Sequence, residues 1–297
     1  MTGGKVVHFD RVEWITIPDA TTALGAIRRG EIDWWEQVPP DLLDQVGRTS
    51  NVVAQRIDPL GNFGQIAFNT KIPPFDNPKL RRALLHAVDQ AECMHAVVGD
   101  HPELMRTGIG VFSPDSPLLT DVGMETLTAP RDMELARRLG RESGYRGERV
   151  AFMVATDQYP HNAFGSVMSQ RMREAGLNVD HQALDWATVV SRRNQAETGG
   201  WNCYALNSNG LGYIAPGTHF RLIAPAPDPQ LVALRDAWYD AADLATQKRI
   251  AEQIQLRFME APPFLPMGEY AMPAALRTGV TYVVRSAQSV FWGARKA

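Results

Sequence analysis

Apolar positions along the chain fall into two alternating patterns, short continuous runs and stretches repeating every three to four residues, and their order predicts an α/β protein. The clearest series lies in the second half. Val150 to Ala155 reads as a buried strand, His161 to Ala175 as a helix stopped by Gly176, and Leu177 to Leu184 as a second strand. Asp185 to Ala196 follows as a capped helix and Trp201 to Leu206 as a third strand. A β-α-β-α-β order predicts a parallel arrangement with right-handed crossovers.

The first half is less regular. Val6 to Phe9 and Val12 to Ile17 alternate as a strand would, ending at Pro18, and Asp19 is placed to cap a helix carrying Ala23, Leu24, Ala26 and Ile27 up to Gly30. Ile32 to Trp35 reads as a short strand. The stretch Asn62 to Asp89 then combines an apolar run, Phe63 to Phe68, with a forced turn at Ile72-Pro73-Pro74, where two consecutive residues lack N–H donors. Asn77 followed by Pro78 is a helix start, and Leu80, Ala83, Leu84, Ala87 and Val88 share one face of that helix. Asp89 caps a second helix ending at Gly99, residues 100–128 read as a long loop, and 130–142 as an amphipathic helix with Leu135, Ala136 and Leu139 inward. Residues 217–223 are a further helix candidate, 230–239 and 243–260 are helices, and Phe264 to Gly268 is a return strand.

Composition narrows the function. Thirty Lys plus Arg against 33 Asp plus Glu give a net charge of −3, which offers no footprint for nucleic acid or an anionic membrane. No apolar run approaches the length of a membrane-spanning helix, and MTGGKVVHFD lacks the apolar core of a signal peptide. Cys93 and Cys203 have no metal-motif spacing and read as small buried apolar residues; the seven histidines, such as His86, His95 and His101, lack i,i+4 pairing, so no metal or other cofactor is expected. No nucleophile, base and orienter can be nominated, and the familiar catalytic signatures are absent, so the chain is not expected to be an enzyme.

Ligands of open α/β sheets bind beyond the carboxyl ends of the strands. That rule selects Thr156, Asp157, Gln158 and Tyr159 after the first strand, Asp185 and Trp186 after the second, and Asn207, Ser208, Asn209 and Tyr213 after the third. Aromatic surface beside uncharged amides suits a polar organic solute. Asp185 fits a helix cap better than a ligand contact; Trp186 is equally a core plug or a platform, and Asn207 and Asn209 are turn residues or contacts. Of the adjacent Trp34 and Trp35, at most one faces a cleft, and Trp34 is carried as the candidate.

Phe-Asn-Thr, Pro-Pro-Phe-Asp, Arg-Arg-Ala-Leu and Ala-Val-Asp within residues 62–89, with IPDATTALGAIRRGEIDWWEQVPPDLL before them, resemble extracellular solute-binding proteins of family 5, the dipeptide, oligopeptide and nickel receptors of bacterial ABC importers. The resemblance implies a periplasmic-binding-protein-like α/β fold of class II: a partial lobe I over 1–66, a near-complete lobe II over 67–268, and a return segment over 269–297. It implies that a signal peptide and most of lobe I precede this portion in the family. It also implies a periplasmic location, a small organic or peptide-like solute, a membrane permease as partner, and closure about hinges near Gln65, Asn69, Met267 and Ala271. Peptide receptors of the family place an Asp after the third strand to pair with the peptide α-ammonium; here Asn207-Ser208-Asn209 has no carboxylate, which argues against a free peptide N-terminus. The alternative is an interaction module whose unpaired edges associate with a partner or with itself.

Overall fold

The computed structural model describes residues 4–217 and 225–297. The chain divides into two compact units: Met1–Gly61 with Val98–Leu104 and Ala271–Ala297, and Asn62–Val97 with Met105–Tyr270. The boundaries therefore fall at 61/62 and 270/271, with the short segment 98–104 joining the first unit. The helix expected over 217–223 lies almost wholly outside the described residues.

The first unit is small. Asp19 accepts the Thr22 N–H at 2.7 Å and caps helix Ala20–Arg29, which Gly30 ends at φ 77°. The buried face of that helix presents Leu24 and Ile27 to Val38, Leu42, Val46, Val52 and Ala275. Beneath it run β1 (Trp34–Trp35), β2 (Val52–Gln55) and β9 (Ala274–Arg277), both outer strands antiparallel to the central β9. The strand expected over residues 5–17 does not form. That stretch is extended, but it has no ladder neighbour among the described residues, and alternation alone cannot make a strand without one.

The second unit is built on a mixed six-stranded sheet in the order β4-β8-β3-β7-β5-β6. Its members are β3 (Asn62–Phe68), β4 (Met105–Arg106), β5 (Arg149–Ala155), β6 (Asn178–Leu184), β7 (Cys203–Asn209) and β8 (Phe264–Tyr270). The expected parallel trio is there: β5 lies between β6 and β7, parallel to both. Helix Tyr159–Glu174 connects β5 to β6, and helix Trp186–Arg193 connects β6 to β7. On the other edge of β7 the sheet continues antiparallel, with β3 pairing β7 from Asn62↔Asn209 to Phe68↔Cys203, and β8 pairing β3. Because β3 continues the ladder, Asn207, Ser208 and Asn209 are strand residues rather than the loop expected after Leu206.

Asn77 accepts the Lys79 N–H at 3.0 Å and caps helix Pro78–Leu85, while Asp89 accepts from Glu92 N–H at the start of Gln90–Val98. The loop read over 100–128 carries β4 and a short helix, Glu125–Thr128. Both escape an apolar-pattern reading because each is shorter than the periods it would have to show. Gly268 has φ +108°, and a Cβ there would come within 2.6 Å of Met94 Cγ. This glycine sits at the irregularity where β3 pairing skips from Gly268 to Pro266, leaving Met267 as the extra residue.

Of the four hinge candidates, Gln65, Asn69 and Met267 are fully buried in or beside this sheet, and Ala271 is the first residue past its edge. Asn69 shows why the position admits little else. Its Nδ2 donates to the carbonyls of Ala196 at 2.6 Å and Trp201 at 3.0 Å, and its Oδ1 accepts the Lys71 N–H at 3.3 Å. Asn69→Ala strands those backbone groups away from water, so urea unfolding should show a loss of about 2 kcal/mol or more. An unchanged midpoint would contradict this account of the residue.

Candidate functional site

At the carboxyl ends of β5, β6 and β7 the chain places a tight group of aromatic, polar and charged side chains. Helix Trp186–Arg193 begins there, capped by Asp185, whose Oδ1 accepts the Thr188 N–H at 2.9 Å. Asp157, just past β5, accepts the Trp186 backbone N–H at 2.9 Å, so the loops after β5 and β6 are joined directly. The Trp186 ring is half-buried, tilted against the His161 imidazole with centroids 4.9 Å apart. On Trp186 also lies the Arg193 guanidinium, 5.3 Å from the ring centre and 5.7 Å from that of Tyr204.

His161 is the centre of this group. It is 3% exposed, and its Nε2 accepts the Asn207 backbone N–H at 3.0 Å while touching the Asn207 side-chain amide. The Asn207 amide reaches on to Asn62 Oδ1 at 3.2 Å. Nδ1 is buried with no hydrogen-bond partner among the described residues. Burial pushes the His161 pKa down to about 4, overcoming the opposing pull of Asn207 and Asp157. The imidazole is therefore neutral near pH 7, an acceptor at Nε2 rather than a cation.

The sequence candidates are distributed as follows. Trp186 and Asn207 belong to the cluster just described, and Tyr159, 42% exposed, opens the helix that carries His161. Asn209 caps the following turn, accepting the Leu211 N–H at 2.9 Å, so it is tied to its own loop. Tyr213 is buried, its ring stacked on Phe63 at 3.9 Å. Trp34 belongs to the other unit, where it packs with Ile57, Ala274 and Leu276 while Trp35 packs on the opposite cluster, both half-buried. Of the remaining candidates, Thr156 bonds back to the Leu184 carbonyl and Ser208 donates to Gln65.

His161, Asn62 and Arg193 were not selected from the sequence. His161 could have been, since it lies in the first turn of a helix that starts at a strand's carboxyl end. Asn62 could not, because its approach depends on the antiparallel neighbour of β7. At the outer edge of the sheet, Arg106 ties the buried Glu269 to Asp115, with Nε donating to Glu269 Oε1 at 2.8 Å and Nη2 to Asp115 at 2.6 Å. Among the described residues no group of three or more His, Cys, Asp or Glu is placed to hold a metal ion, and no helix is long and apolar enough to cross a membrane. Cys93 and Cys203 are buried thiols outside any disulfide, Cys93 donating to the Met267 sulfur at 3.8 Å, and burial pushes both up in pKa.

The depressed His161 pKa has a signed consequence. The unfolded chain binds a proton near pH 6.5 that the folded chain refuses until about pH 4. This contribution to stability is complete above pH 6.5 and is lost as the pH falls toward 4. An NMR titration should find the His161 ring still neutral at pH 5.5, and His161→Gln should flatten the acid limb of stability between pH 6.5 and 4. A ring that titrates near 6.5 would contradict the burial argument.

The family model for bacterial extracellular solute-binding proteins, family 5 Middle, matches residues 2–216. The chain is 28% identical over 311 residues to a probable peptide ABC transporter periplasmic-binding protein of Sinorhizobium fredii, covering all of this chain and 58% of that one. It is 28% identical over 195 residues to heme-binding protein A of Haemophilus influenzae, covering 63% of this chain and 34% of that one. Among solved structures, the PBP AgaA of A. tumefaciens R10 in complex with agropinic acid superposes with a TM-score of 0.78 at 20% identity, over 95% of this chain and 59% of that one. A dipeptide binding protein of Pseudoalteromonas sp. SM9913 in complex with Met-Leu gives 0.77 at 22%, over 95% and 57%. The chain thus spans about three-fifths or less of the length of each of these proteins.

Proposed function

Because the chain belongs to the bacterial extracellular solute-binding proteins of family 5, a family of receptors rather than enzymes, we propose that it carries the solute-contacting lobe of an ABC importer's substrate-binding component. In this reading the receptor works in the periplasm and passes a small organic or peptide-like solute to a membrane permease, as the names of its relatives suggest. Residues 67–268 are lobe II, 1–66 and 269–297 belong to lobe I, and closure about Gln65, Asn69, Met267 and Ala271 traps the solute because only the closed state touches it from both sides.

The observation that carries the reading is the Trp186–His161–Asn207 group at the carboxyl ends of a parallel trio. The half-buried Trp186 indole, with the Arg193 guanidinium on it, offers contact area to a flat or aliphatic solute, and the buried neutral imidazole fixes the Asn207 amide beside it. Tyr159, exposed at the start of the helix that carries His161, completes the proposed contacts. Residues 207–217 contain no Asp or Glu, so nothing there neutralises an α-ammonium, and desolvating that cation unpaired is costly. The solute is accordingly one without a free peptide amine, or one that keeps its amine in water.

With one lobe partial, affinity for this chain alone is expected to be weak, which suits NMR shift titration. An N-acetylated dipeptide should bind at least as tightly as its free-amine counterpart, and Trp186→Ala should weaken it about tenfold, roughly 1.4 kcal/mol. Strong preference for the free amine, or indifference to Trp186→Ala, would sink this assignment.

A further inference from the structure

The two arginines that close helix Trp186–Arg193 are spent differently. Arg192 is saturated: its guanidinium donates to the carbonyls of Gly199 and Gly200 and to the Gln182 side-chain oxygen, each at 2.8 Å. Arg193 is half-buried and has no carboxylate or carbonyl partner among the described residues. It lies instead on the rings of Trp186 and Tyr204, where it opposes the rise that burial imposes on the Tyr204 pKa. The acids at this end of the sheet are already engaged, Asp157 by the Trp186 N–H at 2.9 Å and Asp185 by the Thr188 N–H at 2.9 Å and hydroxyl at 2.6 Å. A second donor beside the same indole is also unanswered. His161 is 3% exposed and accepts at Nε2, so its proton sits on Nδ1, which is buried without a partner among the described residues. Around one ring, donors exceed acceptors, whereas buried polar groups are as a rule satisfied.

We propose that the missing acceptor is a carboxylate of the solute and that Arg193 is the residue that selects for it. The inference rests on the reading that the Trp186 group contacts solute, and it names the class of that solute: an organic acid, or a peptide-like acid whose amine is absent or blocked. A guanidinium presents a planar fork that matches the two oxygens of a carboxylate. Contact with two rings holds that fork before solute arrives, so little side-chain freedom is lost on pairing. Because Arg193 is half-buried, the pair escapes part of the screening that makes an exposed ion pair worth little. The carboxylates of Asp157 and Asp185 at the same end of the sheet disfavour a doubly charged phosphate relative to a singly charged acid. The first-turn amides of Trp186 and Thr188 are already bonded, so the group that recognises the anion is the side chain and not the helix terminus.

NMR titration of the 297-residue chain with N-acetyl-Gly-Leu and with its C-terminal carboxamide tests the assignment, since the two differ only in the charged group. At low salt the acid should bind about tenfold more tightly than the amide, and that advantage should shrink as the ionic strength is raised to about 0.5 M. The Arg193 Nε–H resonance should move with the acid and stay in place with the amide. Arg193→Gln should bring the acid down to the level of the amide, and Arg193→Lys should restore part of the difference. The salt dependence and the Nε–H shift are read on the native chain, so they decide the matter even where Arg193→Gln disturbs the packing on Tyr204. Equal binding of acid and amide, or a preference that survives Arg193→Gln, would overturn the role of Arg193; with Trp186→Ala still weakening both compounds, the solute-contacting reading of the group would stand. Failure of both compounds to shift the resonances of the Trp186 group would overturn that reading and this proposal together.

Discussion

Strand β3 has a ladder partner on each side and is buried from Phe63 to Phe68, and much of the second unit follows from that confinement. A strand so enclosed can satisfy its backbone only through fixed neighbours, because water cannot substitute. It therefore sets the register of β7 on one side and β8 on the other, and so joins a parallel trio to an antiparallel edge. Polar side chains in its path are retained where they complete backbone bonding elsewhere. Asn69 does this just past the strand, holding the carbonyls of Ala196 and Trp201 that lead into β7. Gln90 does it from the helix above, bonding Ile109 in both directions and the Pro266 carbonyl of β8.

The same confinement shapes the candidate site. Asn62, at the head of β3, reaches the Asn207 amide across the ladder, and Asn207 in turn holds His161. Burial then keeps the imidazole uncharged. Acidic groups nearby are already committed to backbone amides, Asp157 to Trp186 and Asp185 to Thr188. What is left is an indole with the Arg193 guanidinium on it, beside an imidazole that carries no charge.

Much of this was legible in the amino-acid sequence where the signal was local. Asp19, Asn77 and Asp185 cap the helices they were expected to cap, because a cap needs only its own three following residues. The parallel trio was legible because each strand is a continuous apolar run between helical periods. What could not be read were partnerships set by distant chain. Residues 5–17 show strand alternation but no ladder, and Asn207 to Asn209 looked like a loop until β3 paired them. Tyr213 looked like a rim aromatic, yet stacking on Phe63 draws it into the core. His161 was overlooked because a lone histidine on a helix has no pattern to announce it.

The bond from Asp157 to the Trp186 amide couples two loops that belong to different crossovers. Its consequence is for anyone who would re-engineer the Trp186 group. Segments 156–159 and 185–188 form one transplantable piece, and lengthening either alone would pull the carboxylate from the amide and tilt the indole with it. Variation in solute preference among chains of this architecture should therefore be sought in paired changes at these two turns.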